Sequence, residues 1–300
     1  MVSRPRRAFV LGSVARSSND TPFPNNGQAP IATTEFRLQG CAGQGEVGPN
    51  VDEQYWDDMA GRFEEGVLEI AGVDQEGVLA EEIKRLRWAG RTAADLGCGP
   101  GSLLPQLAEA FVHVDAVDYS EELLDKARRR HGRPNIRFQR GDLIKGGLGG
   151  MQVDVSFCVN VLLVPHRRKL ERIVETVRDA TKPGGHIVFV VPSFESVLHV
   201  YESLARVRRK EGAPEGLSRK KAEKQLHKFV RCFVEGVVDI SGVLTKHWTQ
   251  TDLEGTLEDA GLQVERVRKV PFSWVEEIDR PPVWLDPRLP WDWLVVARRV

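Results

Sequence analysis

A chain of 300 residues, 41% apolar and 28% charged, holds enough apolar surface for a packed core, which excludes a wholly disordered protein. A net charge of −1 excludes global attraction to nucleic acid or an anionic membrane, so such a partner would need a local patch. No run of roughly 18 apolar residues marks a membrane-spanning helix, and Cys41, Cys98, Cys158 and Cys232 stand too far apart for a short metal or redox motif.

Residues 1–50 read as a tail. Arg4, Arg6, Arg7 and Arg16 precede any acid, and the stretch from Ser17 to Asn50 is rich in Ser, Asn, Pro, Gly, Gln and Thr. Such a composition buries too little apolar surface to offset its ordering entropy. A basic tail is preferred to an organelle transit segment, and the interrupted run Ala8 to Val14 argues against secretion, so the expected location is cytoplasmic. The remaining chain, 51–300, reads as one domain. Helical periodicity begins with Tyr55, Trp56, Met59, Phe63, Val67 and Leu68, and a second helix fits Gly77 to Trp88.

Strand-like runs then alternate with helical ones. Thr92 to Leu96, Val112 to Val117, Asn135 to Gln139, Val153 to Val159 and His186 to Val191 read as strands, with helices at Ser102 to Phe111, Ser120 to His131 and His166 to Thr181. The interval after Gly141 is too glycine-rich for a full helix, and Thr181 to Gly185 reads as a turn. Alternation of this kind predicts right-handed crossovers and a mainly parallel α/β sheet with helices on both faces. Residues 193–250 interrupt it as an insertion, within which the apolar run Gly236 to Leu244 reads as a strand or hairpin arm. After a helix at Thr251 to Ala260, strands at Gln263 to Val270 and Trp291 to Arg298 lack room for a crossover helix between them. They are expected to pair antiparallel, giving a seven-stranded sheet with an antiparallel last strand.

The first strand runs into Asp95-Leu96-Gly97-Cys98-Gly99-Pro100-Gly101. Glycines between a strand and a helix let backbone approach a ligand closely, beside the unpaired N–H groups of the helix start. Ser102 stands where the dinucleotide fingerprint wants a third glycine or alanine, which weakens that reading. The second strand ends at Asp118, 21 residues after Gly97, where a carboxylate can accept both ribose hydroxyl protons; the alternative is an acid near the cap of the helix starting at Ser120.

With these residues the chain resembles the class I, Rossmann-like S-adenosylmethionine-dependent methyltransferases from about Tyr55 to Arg298. Asp95, Gly97, Gly99 and Gly101 match their Asp-x-Gly-x-Gly-x-Gly signature. The resemblance implies S-adenosylmethionine as donor, with Asp95 near its ammonium, Cys98 and the glycines against it, Asp118 on the ribose and Tyr119 beside it. It implies an adenine site at Asp142 and Leu143, although Gly141-Asp142 is also an ordinary turn pair. Asn160 falls where the family lines the methionine and substrate side, chiefly through its backbone. Tyr55 would close the pocket, or serve as core. Residues 160–163 read Asn-Val-Leu-Leu, unlike the Asn/Asp-Pro-Pro-Tyr of enzymes that methylate base amines.

The acceptor is expected to be a small molecule held by the 193–250 insertion acting as a cap. His247, and after it His199 and His227, are the candidate bases there, each with packing as its alternative. Phe194, Tyr201, Trp248, Trp274 and Trp284 are candidates for an aromatic lining. Arg206 to Arg231 carries ten Lys or Arg against three Glu. A solvated lid is preferred there to an RNA-binding face, because aromatics for base stacking are sparse. RNA or protein methylation and non-catalytic donor binding remain the competing readings.

Overall fold

The computed structural model describes residues 70–88, 91–240, 242–278, 281–282, 284–285 and 287–300. The expected tail and the helix carrying Tyr55 lie outside them. A short helix α1 (Ile70–Val73) leads to α2 (Val78–Leu86), whose buried Val78, Leu79, Ile83 and Leu86 share one face. Next come β1 (Thr92–Leu96), α3 (Leu104–Ala110), β2 (His113–Asp118), α4 (Glu121–His131) and β3 (Ile136–Arg140). Ser120 caps α4 by accepting from Leu123 N. Acids in the first turn of that helix and four basic residues in its last complement its dipole.

The 141–150 interval forms no helix before β4 (Val153–Val159), as its glycines predict. α5 (Arg167–Ala180) buries Leu170, Ile173, Val174 and Val177 at helical spacing. β5 (Thr181–Pro192) begins earlier than expected: the predicted turn Thr181 to Gly185 lies within it. Thr181 pairs with Val153 and His186 with Val155, so the intervening residues bulge out, with Gly184 at a φ of 77°.

The insertion is ordered as α6 (Phe194–Lys210), α7 (Glu215–Phe229) and an antiparallel sheet of β6 (Val230–Cys232), β7 (Val237–Ile240) and β8 (Val243–Lys246). Phe194, Val200, Tyr201, Leu204, Phe229, Val230 and Val238 make a separate small core, closed by Trp274 and Ile278. The cations Arg219, Lys220, Lys221, Lys224 and Lys228 of α7 are exposed, while Ser218, Ala222 and Phe229 turn inward. α8 (Gln250–Asp259), β9 (Leu262–Pro271) and β10 (Trp291–Arg299) finish the chain.

The main sheet has seven strands in the order β3-β2-β1-β4-β5-β10-β9. β1 to β5 pair parallel, and β10 is antiparallel to both β5 and β9, as expected from their connection. One face packs against α1 to α4 and the other against α5 and α8. Strand order reverses between β1 and β4, so the carboxyl ends of β1, β2 and β4 open onto the crevice where such sheets bind ligands. Among the described residues no helix is long and apolar enough to cross a membrane.

Candidate active site

The loop after β1 turns on three glycines in the left-handed region: Gly97 at 84°, Gly99 at 53° and Gly101 at 88°. Gly97 N and Cys98 N both donate to Val117 O, at 2.7 and 2.9 Å, which ties the loop to the end of β2. Asp118 completes the tie. Its Oδ2 accepts from Gly99 N at 2.8 Å and its Oδ1 from Ser120 N at 3.0 Å. The capping role goes to Ser120, while Asp118 bridges the two loops at the carboxyl edge of the sheet.

Asp95 and Asp118 are both buried. Burial first, and then the charge of Asp118, pushes the Asp95 carboxyl up to about 7. Neither cause favours its ionised form. Burial and the same two acids raise the Cys98 thiol, and burial beside Asp95 raises Cys158, so both stay protonated and poorly nucleophilic. A ligand complementary to this edge carries positive charge beside Asp95 and hydroxyl donors toward Asp118.

The neighbouring candidates divide. Asp142 Oδ1 accepts from Ile144 N at 2.9 Å and Lys145 N at 3.3 Å, and Oδ2 pairs with Lys145 at 3.1 Å, so this side chain closes its own turn. Leu143 is buried in the cluster that includes Val117 and Leu148. Tyr119 is half-buried, and its carbonyl accepts from Arg140 Nε at 3.1 Å. Asn160 ends β4 at a φ of 55°, the sole positive value of a non-glycine among the described residues, and its N donates to Val190 O at 2.8 Å. Asparagine, which tolerates this left-handed backbone better than most residues, bends the chain there. Val161, just beyond, lies against Gly97: a Cβ added to that glycine would stand 2.3 Å from Val161 Cγ2. Tyr55 falls outside the described residues.

The insertion attaches at this same edge. Lys246 N donates to Leu163 O at 2.7 Å, Trp248 N to Pro192 O at 2.8 Å, and the Trp248 indole N–H to Leu162 O at 2.8 Å. His247, between them, is buried, with Nδ1 3.3 Å from Thr245 O. His199 is held by Arg288 O, 3.0 Å from its Nε2, with its ring between Trp274 and Trp291 at 5.4 and 5.6 Å. His227 packs on Phe233. Of the expected aromatic lining, Phe194, Tyr201 and Trp274 belong to the small core of the insertion, Trp248 to the large core, and Trp284 lies exposed under Lys210.

Sequence reasoning missed Glu195. Its Oε1 accepts from Gln250 N at 2.9 Å and its Oε2 from Trp293 Nε1 at 3.0 Å, while Ser196 Oγ accepts from Trp291 N at 2.9 Å. The start of α6 thus joins α8 and β10. The available signal was Ser193, whose Oγ accepts from Ser196 N and caps the helix.

Residues 93–185 match a family described as a methyltransferase domain. The chain is 27% identical to a ubiquinone biosynthesis O-methyltransferase of Paraburkholderia phytofirmans over 183 residues, 55% of this chain and 77% of that one. It is also 27% identical to phosphoethanolamine N-methyltransferase 1 of Triticum aestivum over 151 residues, 48% of this chain but only 30% of the wheat protein's length. An S-adenosylmethionine-dependent methyltransferase from Mesorhizobium loti shares the fold at a TM-score of 0.50 and 24% identity, covering 73% of this chain and 96% of its own.

Proposed function

We propose that this chain, whose residues 93–185 match a methyltransferase-domain family, is a class I, Rossmann-like S-adenosylmethionine-dependent methyltransferase that methylates a small-molecule acceptor held under the 193–250 cap. The observation that carries this reading is the pair of buried acids, Asp118 fixed by Gly99 N and Ser120 N and Asp95 with its ionised form unsupported. That pair fits a donor bearing an ammonium and a ribose diol. When bound, the donor would supply a sulfonium methyl to an acceptor lone pair, with the neutral thioether S-adenosylhomocysteine as the leaving group.

Everything else falls to the protein. Asp118, fixed at the carboxyl edge of β2, takes the ribose hydroxyls. Asp95, ionised by a nearby ammonium, orients the methionyl end. The left-handed glycines let the loop backbone approach, and Asn160 turns its backbone toward the reacting end. Leu143 and Asp142 border the adenine side. The cap excludes water and aligns the acceptor, the two demands that dominate this chemistry. His247 is the cap's candidate base for an acceptor that must lose a proton. The two relatives are named for phosphoethanolamine and for ubiquinone biosynthesis, which supports a small-molecule acceptor. The exposed cations of α7, opposite its inward-turned Ser218, Ala222 and Phe229, are read as a solvated surface.

A transfer assay with methyl-labelled S-adenosylmethionine against metabolite, RNA and protein fractions tests this. Label is expected in the metabolite fraction. Label confined to RNA or protein, or no transfer at all, overturns it.

A further inference from the structure

Three contacts from separate parts of the chain meet in the turn after β4. Val161 rests on Gly97 of the donor loop: a Cβ added to that glycine would stand 2.3 Å from Val161 Cγ2, at a φ of 84° that already strains any side chain. Asn160, anchored to Val190 O, and the tight contact of Leu163 N with Val161 O at 2.7 Å fix the direction in which Val161 points. From the other side, Trp248 Nε1 and Lys246 N grip the carbonyls of Leu162 and Leu163. Trp248 is itself almost fully buried, carries the Lys246 ammonium 4.5 Å from its ring centroid, and is tied by its backbone to Pro192 O and Phe194 N. Between the cap and the donor loop there is therefore one continuous packed path, Trp248 to the 161–163 turn to Gly97.

From this geometry we infer that Trp248 is a positioning residue for the donor site: its indole N–H, acting through the 161–163 turn, seats Val161 on Gly97 and so makes donor affinity depend on the cap. This rests on the donor reading above. Coupling is reciprocal, so an acceptor that settles the cap tightens donor binding, and a bound donor settles the cap. The path consists of packed side chains and hydrogen bonds, the kind of connection that carries coupling between sites.

The test measures S-adenosylhomocysteine affinity by calorimetry and amide hydrogen exchange on the full chain, with Trp248→Phe, Val161→Ala and the double variant. Trp248→Phe keeps an aromatic ring but removes the donor to Leu162 O together with part of the buried ring volume. It should weaken binding about five-fold, the scale of one buried hydrogen bond. It should also speed exchange at Gly97 and Cys98 while leaving Val114 and Ala116 in β2 unchanged. Val161→Ala should do the same, and the double variant should bind no worse than the weaker single one, because both act on one path. Unchanged affinity and loop exchange in either variant, or fully additive losses, overturn the inference, and an unchanged Val161→Ala overturns it even if Trp248→Phe does not fold. A wild-type chain that binds no S-adenosylhomocysteine overturns the donor reading itself and this inference with it.

Discussion

Asp95 has an ordinary carboxyl value of 3.8 when exposed, raised to about 7 here by burial and by Asp118. Because the folded value lies above the unfolded one, the folded chain holds this proton over a pH range in which the unfolded chain has lost it. Stability therefore falls as pH rises from about 4 to about 7, by on the order of a few kcal/mol. Asp95→Asn removes the titration, so thermal melts without donor should show a flatter pH dependence and a higher Tm than wild type at pH 8. An unaltered pH profile would contradict this account of the pair. The acids and the glycines were legible in the sequence because β1 and its loop are one local stretch and Asp118 ends the next strand. Asn160's left-handed backbone, Val161's seat on Gly97 and Glu195's bridge to Trp293 were not. Each depends on residues brought together from distant parts of the chain, which spacing along the sequence does not reveal.

Among the elements, the hairpin β7–β8 determines how the cap sits over the sheet edge. Gly236 opens it at a φ of 61°, and a Cβ there would stand 2.2 Å from His247 O, a backbone atom that cannot swing aside. His247 N also donates to Gly236 O at 2.8 Å. Gly236→Ala should therefore cost on the order of 2 kcal/mol, read as a lower Tm and faster proteolysis within 193–250, with less effect on cleavage in the main sheet. A Tm equal to wild type would show that the hairpin accommodates the methyl group. The run Gly236 to Leu244 announced this hairpin, and Asp239, whose Oδ1 accepts from Gly242 N at 2.8 Å, marks its turn. β6 went unseen because three residues are too few for a period, and α7 passes into it without a break. The bulge in β5 looked like a turn because Pro183, Gly184 and Gly185 are turn residues. Pairing with β4 on both sides keeps the strand continuous around them.

At the scale of the molecule, the alternation of strand and helix from Thr92 to Pro192 foretold the parallel half of the sheet, and the short connection before Trp291 foretold its antiparallel end. What could not be foretold is how the insertion fastens to the sheet. Trp248, Lys246, Glu195 and Ser196 bind it to the carboxyl ends of β4 and β5 and the start of β10, beside the crevice that holds the acids. On the proposed reading, a donor site on the sheet and an acceptor cap fixed to its rim make one reaction chamber, whose working part is the loop joined to Asp118. Calorimetric titration of the full chain with S-adenosylhomocysteine tests that claim most directly. Saturable binding is predicted for wild type, at least about ten-fold weaker in Asp118→Ala, as expected for losing hydrogen bonds to a charged acceptor, and abolished in Gly99→Trp. Absence of binding by wild type, or equal binding by all three, would contradict it.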